Sequence, residues 1–182
     1  MSAEPRSGHD LTAFVVPAHL ARPAARAVDL FVSHTRSVNA EYTWLIVDTA
    51  VRAWLPPTAD PTSAPLTAHP TPSPSSPADL TQGFAMAVDL AAQFVGRHDD
   101  GLPVAADLLL VADAQCRLDV LDADHLATDG LVQAGIVLHR HATPLPMGML
   151  RRDADSLDTL GWEWLLLRIR QCANRQPDPM LG

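Results

Sequence analysis

Apolar positions fall into short unbroken runs and longer helical stripes. Leu11 to Val16 is a short apolar run closed by Pro17, which reads as one strand. Pro23 suits the first turn of a helix. Ala24, Val28, Phe31 and Thr35 then recur on one face, predicting a helix to about Arg36. Asn39 reads as the N-cap of a second helix, Ala40 to Leu55. Trp44, Val47, Val51 and Trp54 share a face of that helix, and Pro56 and Pro57 stop it. Thr43 to Val47 is also rich in β-branched and aromatic residues, so a strand is the alternative there.

Further along, Leu80, Phe84, Val88, Ala91 and Val95 keep a helical period after Asp79, with Gly96 as a C-terminal cap. Residues 97–103 read as a polar loop. Leu108 to Val111 and Cys116 to Leu121 read as two strands around a turn at Asp113 to Gln115. A short helix or turn is expected over Asp122 to Asp129, and a third strand over Gly135 to His141. The last element is a helix from Asp155 or Ser156 to about Asn174. Aspartates stand near its start and arginines near its end, which complements the helix dipole. Leu157, Leu160, Trp164, Leu167 and Ile169 make it apolar on more than one side.

Residues 56–78 interrupt this pattern. Eight of those 23 residues are Pro, and most of the others are Ser, Thr and Ala. Such a composition buries little apolar surface and lacks a backbone donor at every Pro, so it predicts a disordered, extended linker. Its spacing also contains one PxxP pair, Pro74 and Pro77. The expected organisation is an N-terminal helical segment over 1–55, the linker over 56–78, and an α+β main segment over 79–182. The expected fold class is α+β: a small antiparallel sheet packed by about four helices, in one globular domain interrupted by the Pro-rich linker.

Composition narrows the possible functions. The chain has 182 residues and a formal net charge of -8. All 13 basic residues are Arg, so no lysine Schiff base or lysine-dependent phosphate loop operates here. Residues 79–130 hold ten Asp against two Arg, which concentrates the excess acid in the middle of the chain. That balance argues against nucleic acid, which needs a basic stripe. No run approaches the roughly 18 apolar residues of a membrane span. The first ten residues lack the apolar core of a secretory signal, so a cytoplasmic location and no membrane association are expected. Cys116 and Cys172 lack close metal-binding spacing and read as free, buried thiols.

Candidate chemistry is sparse. His139 and His141 stand two apart on an expected strand and so share a face. With Asp119 or Asp122 they form a candidate site for a divalent metal ion. The run Asp119, Asp122, Asp124, Asp129 does not match a calcium-binding loop and reads as a solvated acidic face. Asp99 and Asp100 with His98 would suit acid–base work if buried, and Ser33 beside His34 lacks a nucleophile elbow. No glycine-rich nucleotide fingerprint occurs, and no catalytic residue is assigned. Trp162 and Trp164 lie about 200° apart on a helix, so one must leave the core stripe.

The reading these observations favour is a non-catalytic interaction or assembly protein without a cofactor. It would bind a protein partner or itself, as a homo-oligomer, through Trp162, Trp164, Leu165 and Arg168 and an acidic surface. One alternative is a divalent-metal hydrolase built on the HxH and Asp site. Another is a host-directed viral or bacterial effector, motivated by the missing lysine.

Overall fold

The computed structural model describes residues 8–70, 77–119, 130–140 and 148–175. In chain order the strands are β1 (His9–Pro17), β2 (Ala40–Val47), β3 (Val51–Thr58), β4 (Ala78–Asp79), β5 (Val104–Asp113), β6 (Cys116–Arg117), β7 (Val132–His139) and β8 (Leu150–Ala154). The helices are α1 (Ala21–Thr35), α2 (Ala64–Ala68), α3 (Thr81–Arg97) and α4 (Leu160–Arg175). Six strands form one sheet in the order β3-β2-β1-β5-β7-β8. All its neighbours pair parallel except β3, which runs antiparallel to β2. The tiny β4 and β6 pair separately, also parallel.

The expected small antiparallel sheet is therefore overturned: this is a mixed α/β fold on a mostly parallel sheet. Its cause lies in burial. Alternate side chains of β1 serve two cores. Phe14 and Val16 join Phe31, Trp164 and Leu167 on the side of α1 and α4. Leu11, Ala13 and Val15 join Phe84, Phe94 and Leu108 on the side of α3. A strand covered on both faces must be apolar at nearly every position, which is the mark of a parallel central strand. The runs LTAFVV and LLLVA meet that demand.

The expected helix over Ala40 to Leu55 is replaced by the hairpin β2–β3. The Asp48 side chain turns the chain by accepting from the Ala50 amide at 3.1 Å. β3 is an edge strand whose exposure alternates along its length, and it runs on through Pro56 and Pro57. Proline is tolerated at an edge because its missing N–H costs no central ladder bond. Within the stretch expected to be a linker, Ala64–Ala68 is helical and Leu66 is fully buried. The Trp44 indole donates to the Thr62 carbonyl at 2.9 Å, tying this segment to β2.

The first helix and the helix after Asp79 form close to where the periodicity places them, as α1 and α3. The two strands expected around Asp113 to Gln115 form there, but the second is only Cys116–Arg117, which leaves the main sheet and pairs with Ala78–Asp79. β8 was not anticipated, and α4 starts at Leu160 behind a 3-10 turn over Leu157–Thr159. Gly83 allows α3 to approach β2, since a Cβ there would collide with Val47.

Candidate functional site

α4 presents two different faces. On the inner face Trp164 is fully buried and tilts against Phe14, with ring centroids 4.9 Å apart. Its indole donates to the Leu110 carbonyl at 3.0 Å, so the polar edge is satisfied inside the core. On the outer face Trp162 is 51% exposed, Leu166 41% and Ile169 64%. These three stand at i, i+4 and i+7, in one stripe along the helix. The Trp162 and His34 rings meet in a T-shaped contact with centroids 5.1 Å apart. Beside the stripe, a groove of about 730 Å³ opens between α1 and the start of α4, lined by Arg22, Arg26, Leu30, Leu157, Asp158 and Gly161.

The amino edge of the sheet holds a charge cluster. Asp107 on β5 is completely buried. Arg175 reaches it with two contacts, of 2.7 and 3.2 Å, and Arg168 bridges Asp107 to Asp10 on β1. Loss of water pushes the Asp107 carboxyl up to about 6, against the opposing pull of Arg175. Every charge in the cluster has an opposite partner, so the arrangement fastens α4 to β1 and β5.

The opposite, carboxyl edge gathers the ends of the parallel strands. At its centre, strand order reverses across β1 and β5, where open α/β sheets leave a crevice for ligands. His19 follows β1 in a 3-10 turn over Ala18–Leu20, and Asp113 ends β5. His19 Nε2 lies 2.8 Å from Asp113 Oδ2. The other carboxylate oxygen accepts from the Gln115 amide at 2.9 Å and from Cys116 Sγ at 3.4 Å. Burial raises the Cys116 thiol to about 12, which keeps it protonated and removes it as a free nucleophile.

The anticipated site residues disperse. Trp162 is on the surface, whereas Trp164 lies in the core and Leu165 packs partly against it. The Arg168 guanidinium is engaged by Asp10 and Asp107 instead of facing a partner. His139 ends β7 and donates from Nδ1 to the Ala154 carbonyl at 3.1 Å. Asp119 is exposed, and its amide donates to Thr81 Oγ1 at 2.9 Å. Asp122 and His141 lie outside the described residues. Among the described residues, His139 and Asp119 do not come together with a third metal-binding side chain; His19, Asp113 and Cys116 do. Asp100 is exposed and accepts from His9 at 2.6 Å, which holds its carboxyl below the usual range. Cys116 is buried as expected, but Cys172 is exposed, and both are free thiols.

Sequence comparison is silent: no family model matches the chain, and no curated protein matches it. Solved structures do match. A von Willebrand factor type A protein from Catenulispora acidiphila superposes with a TM-score of 0.58 at 10% identity, over 91% of this chain and 42% of that one. The SpRpn10 VWA domain gives 0.53 at 8% identity, over 84% of this chain and 93% of that one. The fold is that of a von Willebrand factor type A domain. An aerotolerance-related membrane protein from Bacteroides fragilis gives 0.52 at 12% identity, over 90% of this chain and the whole of that one. This chain thus spans less than half the length of the first structure and nearly all of the second. Within the von Willebrand factor A fold, the His19–Asp113–Cys116 cluster sits at the carboxyl edge, and the α4 stripe lies on one flank.

Proposed function

We propose that this chain is a non-catalytic protein-interaction module that self-associates through the outer face of α4. One observation carries the reading. Six large hydrophobic side chains are exposed among the described residues, and three of them, Trp162, Leu166 and Ile169, form a single helical stripe. Scattered exposed hydrophobics need no explanation, but a contiguous patch containing Trp marks a contact surface. α4 has 16 residues, and no helix among those described is long and apolar enough to cross a membrane.

A second copy of the chain fits it. Asp155 and Asp158 are exposed before α4, and Arg170 is exposed near its end. Two α4 helices laid antiparallel about a two-fold axis set the acidic start of each against the basic end of the other. Trp162 of one copy then meets the Ile169 end of its partner. Von Willebrand factor A-like domains often mediate protein–protein interaction, which agrees with this reading.

Sedimentation velocity on Trp162→Ala and Ile169→Asp tests it. Both positions are exposed, so stability is expected to move by only about 0.5 kcal/mol. The expected result is a collapse of the assembly to the 19.6 kDa monomer in both variants. An assembly distribution identical to that of the unmodified chain overturns the proposal.

A further inference from the structure

We propose that the groove between α1 and the start of α4 binds a short acidic segment of a partner protein, with its carboxylates on Arg22 and Arg26 and an apolar side chain on the groove floor. The groove measures about 730 Å³, a volume that suits a compact occupant rather than a flat surface. Its walls come from α1, from Thr67 on α2, and from the 3-10 turn and first residues of α4. Leu30 and Leu157 line it and are half-buried, which leaves apolar surface for an incoming side chain to cover. Gly161 lets the two helices meet beneath them: a Cβ there would stand 3.0 Å from Leu30 and 3.2 Å from the Ala27 backbone.

Charge decides the occupant. Arg22 and Arg26 stand one turn apart on α1, and both are exposed. Among the described residues seven other arginines are held in ion pairs, whereas these two have no acidic partner on a chain of net charge -8. Arg22 also lies in the first turn of α1, which contains no acid. A cation there opposes the helix dipole, so the pair is not placed for the stability of α1. Two guanidinium groups at this spacing match two carboxylates, each held by a forked pair of N–H donors. Asp158 on the α4 wall repels carboxylates and so keeps the acidic residues of the segment on the α1 side. A long polyanion is disfavoured, because the two arginines are a local exception on an acidic chain. The inference does not depend on self-association, which uses the outer stripe of α4.

The probes are two fluorescein-labelled peptides, one of repeated Glu-Leu and one of repeated Lys-Leu. Each is titrated with the full-length chain and followed by fluorescence anisotropy. The expected result is saturable binding of the acidic peptide and none of the basic one. Arg22→Glu combined with Arg26→Glu weakens that binding on the order of tenfold or more. This variant is expected to fold, since an acid in the first turn complements the α1 dipole. Circular dichroism checks it, and if it does not fold, Arg26→Gln decides alone. Arg117→Glu, at an exposed arginine elsewhere, and Trp162→Ala leave the affinity unchanged. Absence of saturable binding, an affinity indifferent to the changes at Arg22 and Arg26, or an equal loss with Arg117→Glu overturns the groove. A loss with Trp162→Ala moves the contact to the α4 stripe and overturns it as well.

Discussion

At the scale of single residues, environment assigns chemistry that residue type alone leaves open. The two cysteines illustrate this. Cys116 is buried beside the Asp113 carboxylate, and burial drives its thiol to about 12. Cys172 is exposed on α4. Alkylation proceeds through the thiolate, so at about pH 8 the buried group presents almost none of the reactive form. Iodoacetamide followed by peptide mass mapping is expected to label Cys172 in the native chain and Cys116 only after denaturation. Equal native labelling would contradict the burial argument. The two tryptophans divide in the same way. Their spacing places them on opposite sides of a helix, but only packing determines that Trp164 is the one inside.

At the scale of elements, α4 is fastened to the sheet by a charge cluster as well as by apolar contact. Replacing Asp107 with Asn keeps its shape and removes the negative charge that Arg175 and Arg168 share. A loss of about 3 kcal/mol is expected, at the low end for a broken buried pair because Arg168 keeps Asp10. Urea unfolding measures it, and a loss below about 1 kcal/mol would show that the cluster contributes little. α1 and α3 were legible because each has one buried face and therefore a clear 3.6-residue period. β1 was legible as an apolar run ending in proline. β2 was legible only as the strand alternative over Thr43 to Val47, and β3 was not: Trp44, Val47, Val51 and Trp54 also satisfy a helical spacing, and the Asp48 turn that separates two strands carries no Gly or Pro. The second stripe of α4, Trp162, Leu166 and Ile169, was present as an i, i+4, i+7 pattern beside the inner one. The sequence already reads as apolar on more than one side of this helix, but its periodicity does not separate Leu166 and Ile169 from the inner stripe.

At the scale of the whole molecule, the His19–Asp113–Cys116 cluster was hidden for a different reason. His19 and Asp113 are 94 positions apart and share no motif. They meet only because β1 and β5 are parallel neighbours, which carries both strand ends to one edge. Reading the sheet as antiparallel breaks that inference, because the ends of antiparallel neighbours point in opposite directions. The charge pattern belongs to this scale too. A net charge of -8 favours solubility of the separate chains, so association must come from a local surface such as the α4 stripe. Native mass spectrometry of the unmodified chain over a range of concentrations tests self-association most directly. A species of twice 19.6 kDa that grows with concentration is expected. A mass that stays at 19.6 kDa up to the highest concentration would contradict it.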